Sequence, residues 1–544
     1  MTESREHATD SAPDRRQITL MFVGLMTAML LAALYQTIFA TALPTIVGEL
    51  QGVDQMLWVT TSYILAATIT MPIYGKLGDL YGRKGLFIVA ILLFLAGSVV
   101  GGLAQGMDSL IVGRVIQGLG GGGLFVLAQA IIADVVPARE RGRYMGVMGG
   151  VFAFATLTGP LLGGWFTESI GWRWVMWFNL PLGALAIVSA VLFLKIPSRP
   201  RAGRKVDVAG MALITIASTS LVLMSSFGGH QYAWGSPQII GLIVLTVAAA
   251  VAFVAVERRA SEPVIPLALF RRRNFVLPTA AGLLVGVGMF GTVGYMPTYL
   301  QMVAGVSATA AGLLMAPMMG AMLITSITAG RAVTRTGRYK MLPIVGSVFI
   351  GAGLYLLSTL TADGALWHVC AYLAVLGTGL GLSMQILVLV VQNTFPISMV
   401  GTATASNNYF RQIGASLGTA IVGSLFTERL VNLLGERLPD GGGAIEGGAN
   451  SLTPALVRQL PESLGDIVVG AYNDALTPVF LLMVPLSIVS FVLLLFVKEA
   501  PLATRIDREA DAGSDMPAAA TTGSATPTGA TGRDSALVPA RSPK

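Results

Sequence analysis

A chain of 544 residues that is 54% apolar and only 12% charged, with a mean hydropathy of +0.72, carries more greasy surface than one aqueous core can hide, so it belongs in lipid. Its net charge of +7 is accounted for by membrane sidedness, which leaves no ground for nucleic-acid binding. A lone cysteine, Cys370, and three histidines on separate segments, His7, His230 and His368, exclude an intramolecular disulfide and argue against a metal centre, and no cofactor is expected.

Residues 1–17 are polar and of mixed charge, and are expected to form a disordered cytoplasmic N-terminus. A membrane span needs about 20 predominantly apolar residues. Fourteen such runs follow, at 18–44, 57–75, 86–104, 108–133, 143–166, 173–194, 208–228, 237–256, 275–301, 309–330, 341–360, 366–394, 400–426 and 472–497. The first is too long for a cleavable signal. With the N-terminus inside, 29 of the 35 Lys and Arg fall on the cytoplasmic side, four (Arg173, Arg429, Arg437 and Arg458) fall outside, and two (Arg114 and Arg411) lie within spans. That alternation obeys the positive-inside bias, and an odd span count would spoil it. Both termini are therefore cytoplasmic in a multi-pass protein of the plasma (inner) membrane. The segment 427–471 is acidic, with Gly441-Gly-Gly443 in its middle, and is expected as an external loop. Residues 500–544, rich in Ala, Thr, Gly, Ser and Pro, are expected as a disordered cytoplasmic tail.

The turn between spans two and three, Gly75-Lys-Leu-Gly-Asp79-Leu-Tyr-Gly82-Arg83-Lys-Gly85, is echoed 255 positions later by Gly330-Arg331-Ala-Val-Thr-Arg335-Thr-Gly337-Arg338. Gly75 falls on Gly330, Gly82 on Gly337 and Arg83 on Arg338, while Asp79 meets Thr334. The same offset lays the first six spans on spans nine to fourteen. Spans seven and eight have no counterpart. The expected architecture is all-α: a six-helix bundle at 18–195, a two-helix insert with cytoplasmic linkers at 196–274, and a second six-helix bundle at 275–499. A parallel repeat of this kind puts a substrate path between the halves, near the midplane.

Enzyme signatures fail. Gly118-Leu-Gly120-Gly-Gly-Gly123 matches a dinucleotide pattern and Gly414-Ala-Ser416-Leu-Gly418 a nucleophile elbow, but both lie inside apolar helices, where small residues serve close packing. No phosphate cradle for ATP occurs. Uphill transport would have to be coupled to an ion gradient or to a separate protein.

Over about 18–500 the chain resembles the fourteen-helix drug:proton antiporters of the major facilitator superfamily. The resemblance rests on the 75–85 turn, on Arg114-Val-Ile-Gln117-Gly118-Leu-Gly120 in span four and on Gly159-Pro160-Leu-Leu-Gly163-Gly164 in span five. It rests also on Trp172-Arg173-Trp174-Val-Met-Trp177-Phe-Asn179-Leu-Pro181-Leu-Gly183, on Glu262-Pro-Val-Ile-Pro266-Leu-Ala-Leu-Phe270-Arg-Arg-Arg-Asn-Phe275 and on Arg411-Gln412-Ile-Gly414. It implies a cytoplasmic latch made by Gly75, Asp79, Gly82, Arg83 and Asp134, with Asp79 against the start of span thirteen, where a carboxylate is favoured. A topology-setting basic loop is the plainer reading. The Gly159, Pro160, Gly163 and Gly164 set implies an exporter; it is otherwise a packing kink.

Ionisable residues inside a membrane are costly and by default functional. Arg114 and Arg411 stay protonated, so they can hold partners such as Gln117 or Gln412 or attract an anionic group, but cannot carry a proton. The family's first span usually bears an Asp where this chain has Tyr35 in Leu34-Tyr35-Gln36-Thr37-Ile38. No span carries a carboxylate at mid-depth, and a phenol is a poor proton shuttle at neutral pH. Antiport would then rest on Asp134 at the cytoplasmic rim. Candidates for the substrate path are Tyr35, Gln36, Trp58, Tyr63, Tyr295, Tyr299, Gln301, Met315, Met318, Met319, Met384, Gln385, Gln392 and Asn393, since thioethers and rings adapt to amphipathic cargo. The functional expectation is a multidrug-type exporter of amphipathic drugs or lipid-like compounds, working by alternating access and proton antiport. One alternative is an exporter of an endogenous lipid or metabolite, with an external acceptor protein docking at 427–471; another is a non-transporting membrane sensor or scaffold.

Overall fold

A computed structural model describes residues 15–52, 55–194, 206–229, 231–437, 457 and 460–504. Fourteen helices among them are long and apolar enough to cross a membrane. They are α1 (Arg16–Glu49), α2 (Met56–Tyr81), α3 (Arg83–Gly102), α4 (Met107–Val135), α5 (Ala138–Ser169), α6 (Arg173–Phe193), α7 (Val208–Phe227), α8 (Pro237–Glu257), α9 (Arg273–Met302), α10 (Thr309–Thr336), α11 (Met341–Ser358), α12 (Leu366–Gln392), α13 (Ile397–Arg437) and α14 (Ser463–Leu495). Each corresponds to one expected span. Two helices are interrupted by a single residue, α6 at Phe178 and α10 at Met315. Pro181 and Pro317 follow these breaks closely, and each removes a backbone donor from the helix.

Buried side chains gather into separate cores along the chain. One buried core draws only on residues between Met21 and Leu194, the helices α1–α6. A second draws on α9–α14, with Ala153 of the first half within it and Phe152 and Leu157 packed against it. The inserted helices stand beside both. Helix α7 meets α2 through the Trp58 and Phe227 rings, 5.0 Å apart, and α13 through the 2.8 Å hydrogen bond between the Ser218 and Tyr409 hydroxyls. Helix α8 lies outside it, with Thr246 donating to Ser220 at 2.8 Å. The return segment after α8 tucks Val264, Ile265 and Leu269 into a core shared with Ala403 and Tyr409 of α13. It also ties Glu262 to Lys76 of α2 at 2.7 Å.

The external segment departs from expectation. Helices α13 and α14 continue through 427–437 and 463–471, because Leu430 and Leu434, one turn apart, pack with Val457 and Val468 on an amphipathic face. Arg437 and Asp474 join the two extensions at 2.7 Å. Residues 438–456 and 458–459 of the expected loop lie outside the described residues, as do 1–14 and 505–544 of the two termini.

Candidate functional site

The sequence echo returns as a structural one. At the cytoplasmic end, α2 of the first half packs on α13 of the second, and α10 of the second packs on α5 of the first. A β-carbon on Gly75 would collide with Ala405 and lie 2.8 Å from the Gly401 carbonyl oxygen, while one on Gly330 would collide with the Gly142 carbonyl and lie 3.1 Å from the Gly146 α-carbon. Gly401 and Gly146 are themselves 255 positions apart. The bare glycines bring backbone against backbone at both crossings. The turns beyond them close on Gly82 and Gly337, with φ of 96° and 72°, a left-handed conformation that glycine adopts without penalty.

On that scaffold Asp79 meets the start of α13. Its carboxylate accepts from the Gly401 N–H at 3.1 Å, the Thr402 N–H at 2.7 Å and the Thr402 hydroxyl at 2.8 Å. Gly401 and Thr402 are the fifth and sixth residues of α13, so the carboxylate lies near the positive end of the helix, where negative charge is favoured. Arg83 sits beneath, buried, and pairs with Asp79 at 2.7 Å and with Asp134. It also donates to two carbonyls, Ala130 at 2.7 Å and Ile397 at 2.9 Å. One guanidinium thus holds three helices of the first half and the lip of α13. At the opposite crossing Thr334, the counterpart of Asp79, accepts with its hydroxyl from the Arg143 N–H at 3.2 Å. A neutral acceptor stands there where a charged one stands on the other side.

Deeper in, an amide chain closes the gap between the halves. Asn408 donates to Gln129 Oε1 at 2.7 Å, Gln129 to Gln385 Oε1 at 3.4 Å, and Gln392 to the Gln129 carbonyl and the Thr404 hydroxyl, each at 3.2 Å. Ser326 adds a bond to the Gly146 carbonyl at 3.1 Å. These links between the bundles cluster in the cytoplasmic half. Nothing in a single apolar span announces such a chain; the scattered Gln and Asn of α4, α12 and α13 were its only trace.

Arg114 lies apart, within the first bundle. Its guanidinium carbon is 4.2 Å from the Phe39 ring centre, 4.4 Å from Tyr63 and 5.1 Å from Tyr35, and it donates to the Val59 carbonyl at 3.2 Å and to Gln117 at 3.3 Å. Three rings stand where a carboxylate would, and each desolvated cation–π contact is worth up to about 2 kcal/mol. The Tyr35 hydroxyl donates to the Met176 sulfur at 3.0 Å. Tyr35 and Tyr63 are therefore walls of a buried cage, not of an open path.

The remaining path candidates scatter. Gln36 is exposed on α1, and Trp58 faces the insert. Tyr299 is buried against Asn473, with 2.8 Å between their oxygens, and Tyr295 packs on Phe426. Gln301 donates to the Pro297 carbonyl within its own helix. Met315, Met318, Met319 and Met384 fill the second core. Gln385 and Gln392 belong to the amide chain, and Asn393 follows it at the end of α12. In α5, β-carbons on Gly159 and Gly163 would strike Thr37 and the Ile38 carbonyl of α1, whereas Gly164 faces open space. Those two glycines let α5 approach α1 closely.

Comparison with known proteins accords with this geometry. A family model, Major Facilitator Superfamily, matches residues 25–419. An uncharacterised MFS-type transporter of Mycobacterium tuberculosis is 42% identical over 92% of this chain and 72% of its own length. The multidrug transporter protein MdtP of Bacillus subtilis is 38% identical over 77% of each chain, and multidrug resistance protein 3 of the same species 34% identical over 90% of this chain and 97% of its own. A crystal structure of the human organic anion transporter MFSD10 shares the fold, with a TM-score of 0.58 at 15% identity over 89% of this chain and all of that one. The protein is a multi-pass membrane transporter and belongs to the major facilitator superfamily.

Proposed function

We propose that this protein is a secondary exporter of the plasma (inner) membrane that moves amphipathic drugs or lipid-like compounds outward by alternating access. The observation that carries the reading is the joined cytoplasmic end: Asp79 on the N-terminus of α13, with Arg83 and Asp134 behind it. A latch of this kind holds the halves together on the inside, and breaking it lets cargo enter from the cytoplasm or the inner leaflet. The names of the Bacillus relatives support efflux as its direction and drug-like molecules as its cargo. Proton antiport is the coupling that the resemblance implies, with Asp134 as the titrating group.

A second reading, export without a proton site in the first span, is favoured by the aromatic cage around Arg114. Reconstitution in liposomes with an imposed pH gradient separates the two. Antiport predicts transport that rises with the gradient and stops responding to it in Asp134→Asn; transport indifferent to the gradient refutes antiport. No export of any amphipathic dye by the native protein refutes the main proposal.

A further inference from the structure

Arg411 differs from Arg114 in how its charge is met. It lies ten residues beyond Gly401 on α13, about 15 Å along the helix axis, which is near mid-depth for a hydrocarbon core about 30 Å thick. Among the described residues its guanidinium donates one hydrogen bond, to Asn408 Oδ1 at 2.6 Å. Among those residues no ring cage, backbone carbonyl or carboxylate meets it, and the side chain is half-buried.

Its orientation follows from its neighbours. Thr404, Asn408 and Arg411 recur at the i, i+4, i+7 spacing of one helix face. Thr404 accepts from Gln392 of α12, and Asn408 donates to Gln129 of α4, so this face looks across the gap between the bundles. Arg411 is the next side chain outward, on the outer side of the amide chain that closes the cytoplasmic half.

Carboxylates that could answer it are remote. Helices α9 and α12 carry none, α2 has Asp79 and α4 has Asp108 and Asp134, all at helix ends, α7 has only its capping Asp207, and Asp474 of α14 is taken by Arg437 at the outer extension. An unanswered cation at this depth is expensive. A guanidinium with unused donors is also the side chain best shaped for an oxyanion.

We propose that Arg411 is the anion-binding residue of the export path, and that the cargo is an amphipathic anion bearing a carboxylate, sulfonate or phosphate. The inference rests on the export reading above. It also explains how the first span dispenses with an acid: an inside-negative membrane expels an anion with about 2.3 kcal/mol per charge per 100 mV, so outward transport has a driving force without a proton.

The test uses the full chain in proteoliposomes, with taurocholate as anionic probe and ethidium as cationic probe. Native protein is expected to transport taurocholate well and ethidium poorly. Arg411→Gln is expected to lower taurocholate transport roughly tenfold or more, the loss of one charge-assisted contact, without lowering ethidium transport or the thermal unfolding midpoint. Arg411→Lys, which keeps the charge, should keep most of the anion transport. Equal loss of both probes in Arg411→Gln, or loss of neither, overturns the inference. Native protein that moves ethidium and not taurocholate overturns it while leaving the export reading intact; transport of neither probe removes the export reading itself.

Discussion

Asp79→Asn tests the latch at the point where its charge acts. The carboxylate accepts three hydrogen bonds across the bundle interface, from the Gly401 and Thr402 N–H groups and the Thr402 hydroxyl, at 3.1, 2.7 and 2.8 Å. The amide has the same shape and can still offer one acceptor oxygen, but no charge. A hydrogen bond to a charged group contributes about 1.5–3 kcal/mol and a neutral one about 0.5–1.5 kcal/mol, so the three together lose about 3 kcal/mol. At about 1.4 kcal/mol per decade, the ratio of closed to open cytoplasmic ends falls roughly a hundredfold. Arg83 keeps Asp134 and two carbonyls, so the first bundle should stay folded. Spin labels at Tyr81→Cys and Met341→Cys, both at exposed positions near the cytoplasmic end, report the opening once the single native thiol, Cys370, is replaced by Ala. The native protein should give a short distance and Asp79→Asn a second, longer one. An unchanged distribution in a folded, transport-active variant would refute the idea that this carboxylate holds the inner end shut.

Three further outcomes follow from the same geometry. Gly75→Val places a branched side chain against Ala405 and Gly401; it should wedge the cytoplasmic end apart in the same distance measurement and abolish export while leaving membrane insertion normal. Glu262→Gln removes the counter-charge from the Lys76 ammonium, in a pair whose side chains are 9% and 12% exposed, and leaves it an uncharged amide as partner. It should cost about 1–2 kcal/mol and lower the midpoint of thermal unfolding in detergent, whereas replacement of the solvent-exposed Glu168 should not. Tyr35→Asp sets a carboxylate beside Arg114 in place of a ring. Transport by that variant should acquire a dependence on an imposed pH gradient beyond any that the native protein has, and an unaltered response would mean that the cage is not what replaces the first-span proton site.

The parts legible in sequence were those written in hydropathy and local repetition. Fourteen apolar runs determine helix number, because lipid makes a helix satisfy its own backbone, and the 255-residue echo anticipates the paired glycine crossings of α2 with α13 and α10 with α5. The pairing of Arg83 with Asp134 could be anticipated from two polar residues at one membrane face. What escaped was decided by which helix faces meet. Tyr35 and Tyr63 read as adaptable path residues, yet they enclose Arg114 together with Phe39, a residue with no polar signal at all. Gln129 and Asn408 are 279 positions apart, and no local pattern links them. The outward extension of α13 was hidden by charge: Thr427-Glu-Arg-Leu-Val-Asn-Leu-Leu-Gly-Glu-Arg437 reads as loop by hydropathy and as helix only once Leu430 and Leu434 are seen to share a face.

The exchange of Asp79 for Thr334 between the two repeats makes the inner seal lopsided. Along one seam an acid grips the early turns of α13, and along the other the Arg139 guanidinium holds the Thr334 and Arg335 carbonyls at the end of α10, beside the Thr334 hydroxyl and the Ser326 bond to Gly146. When the two bodies tilt, one seam is released by neutralising an acid and the other by losing the grip of a base, so that the two edges of the mouth can be loosened independently. A molecule arriving from the inner leaflet would then meet two unlike lips, a fossil of which copy of an ancestral duplication kept its acid.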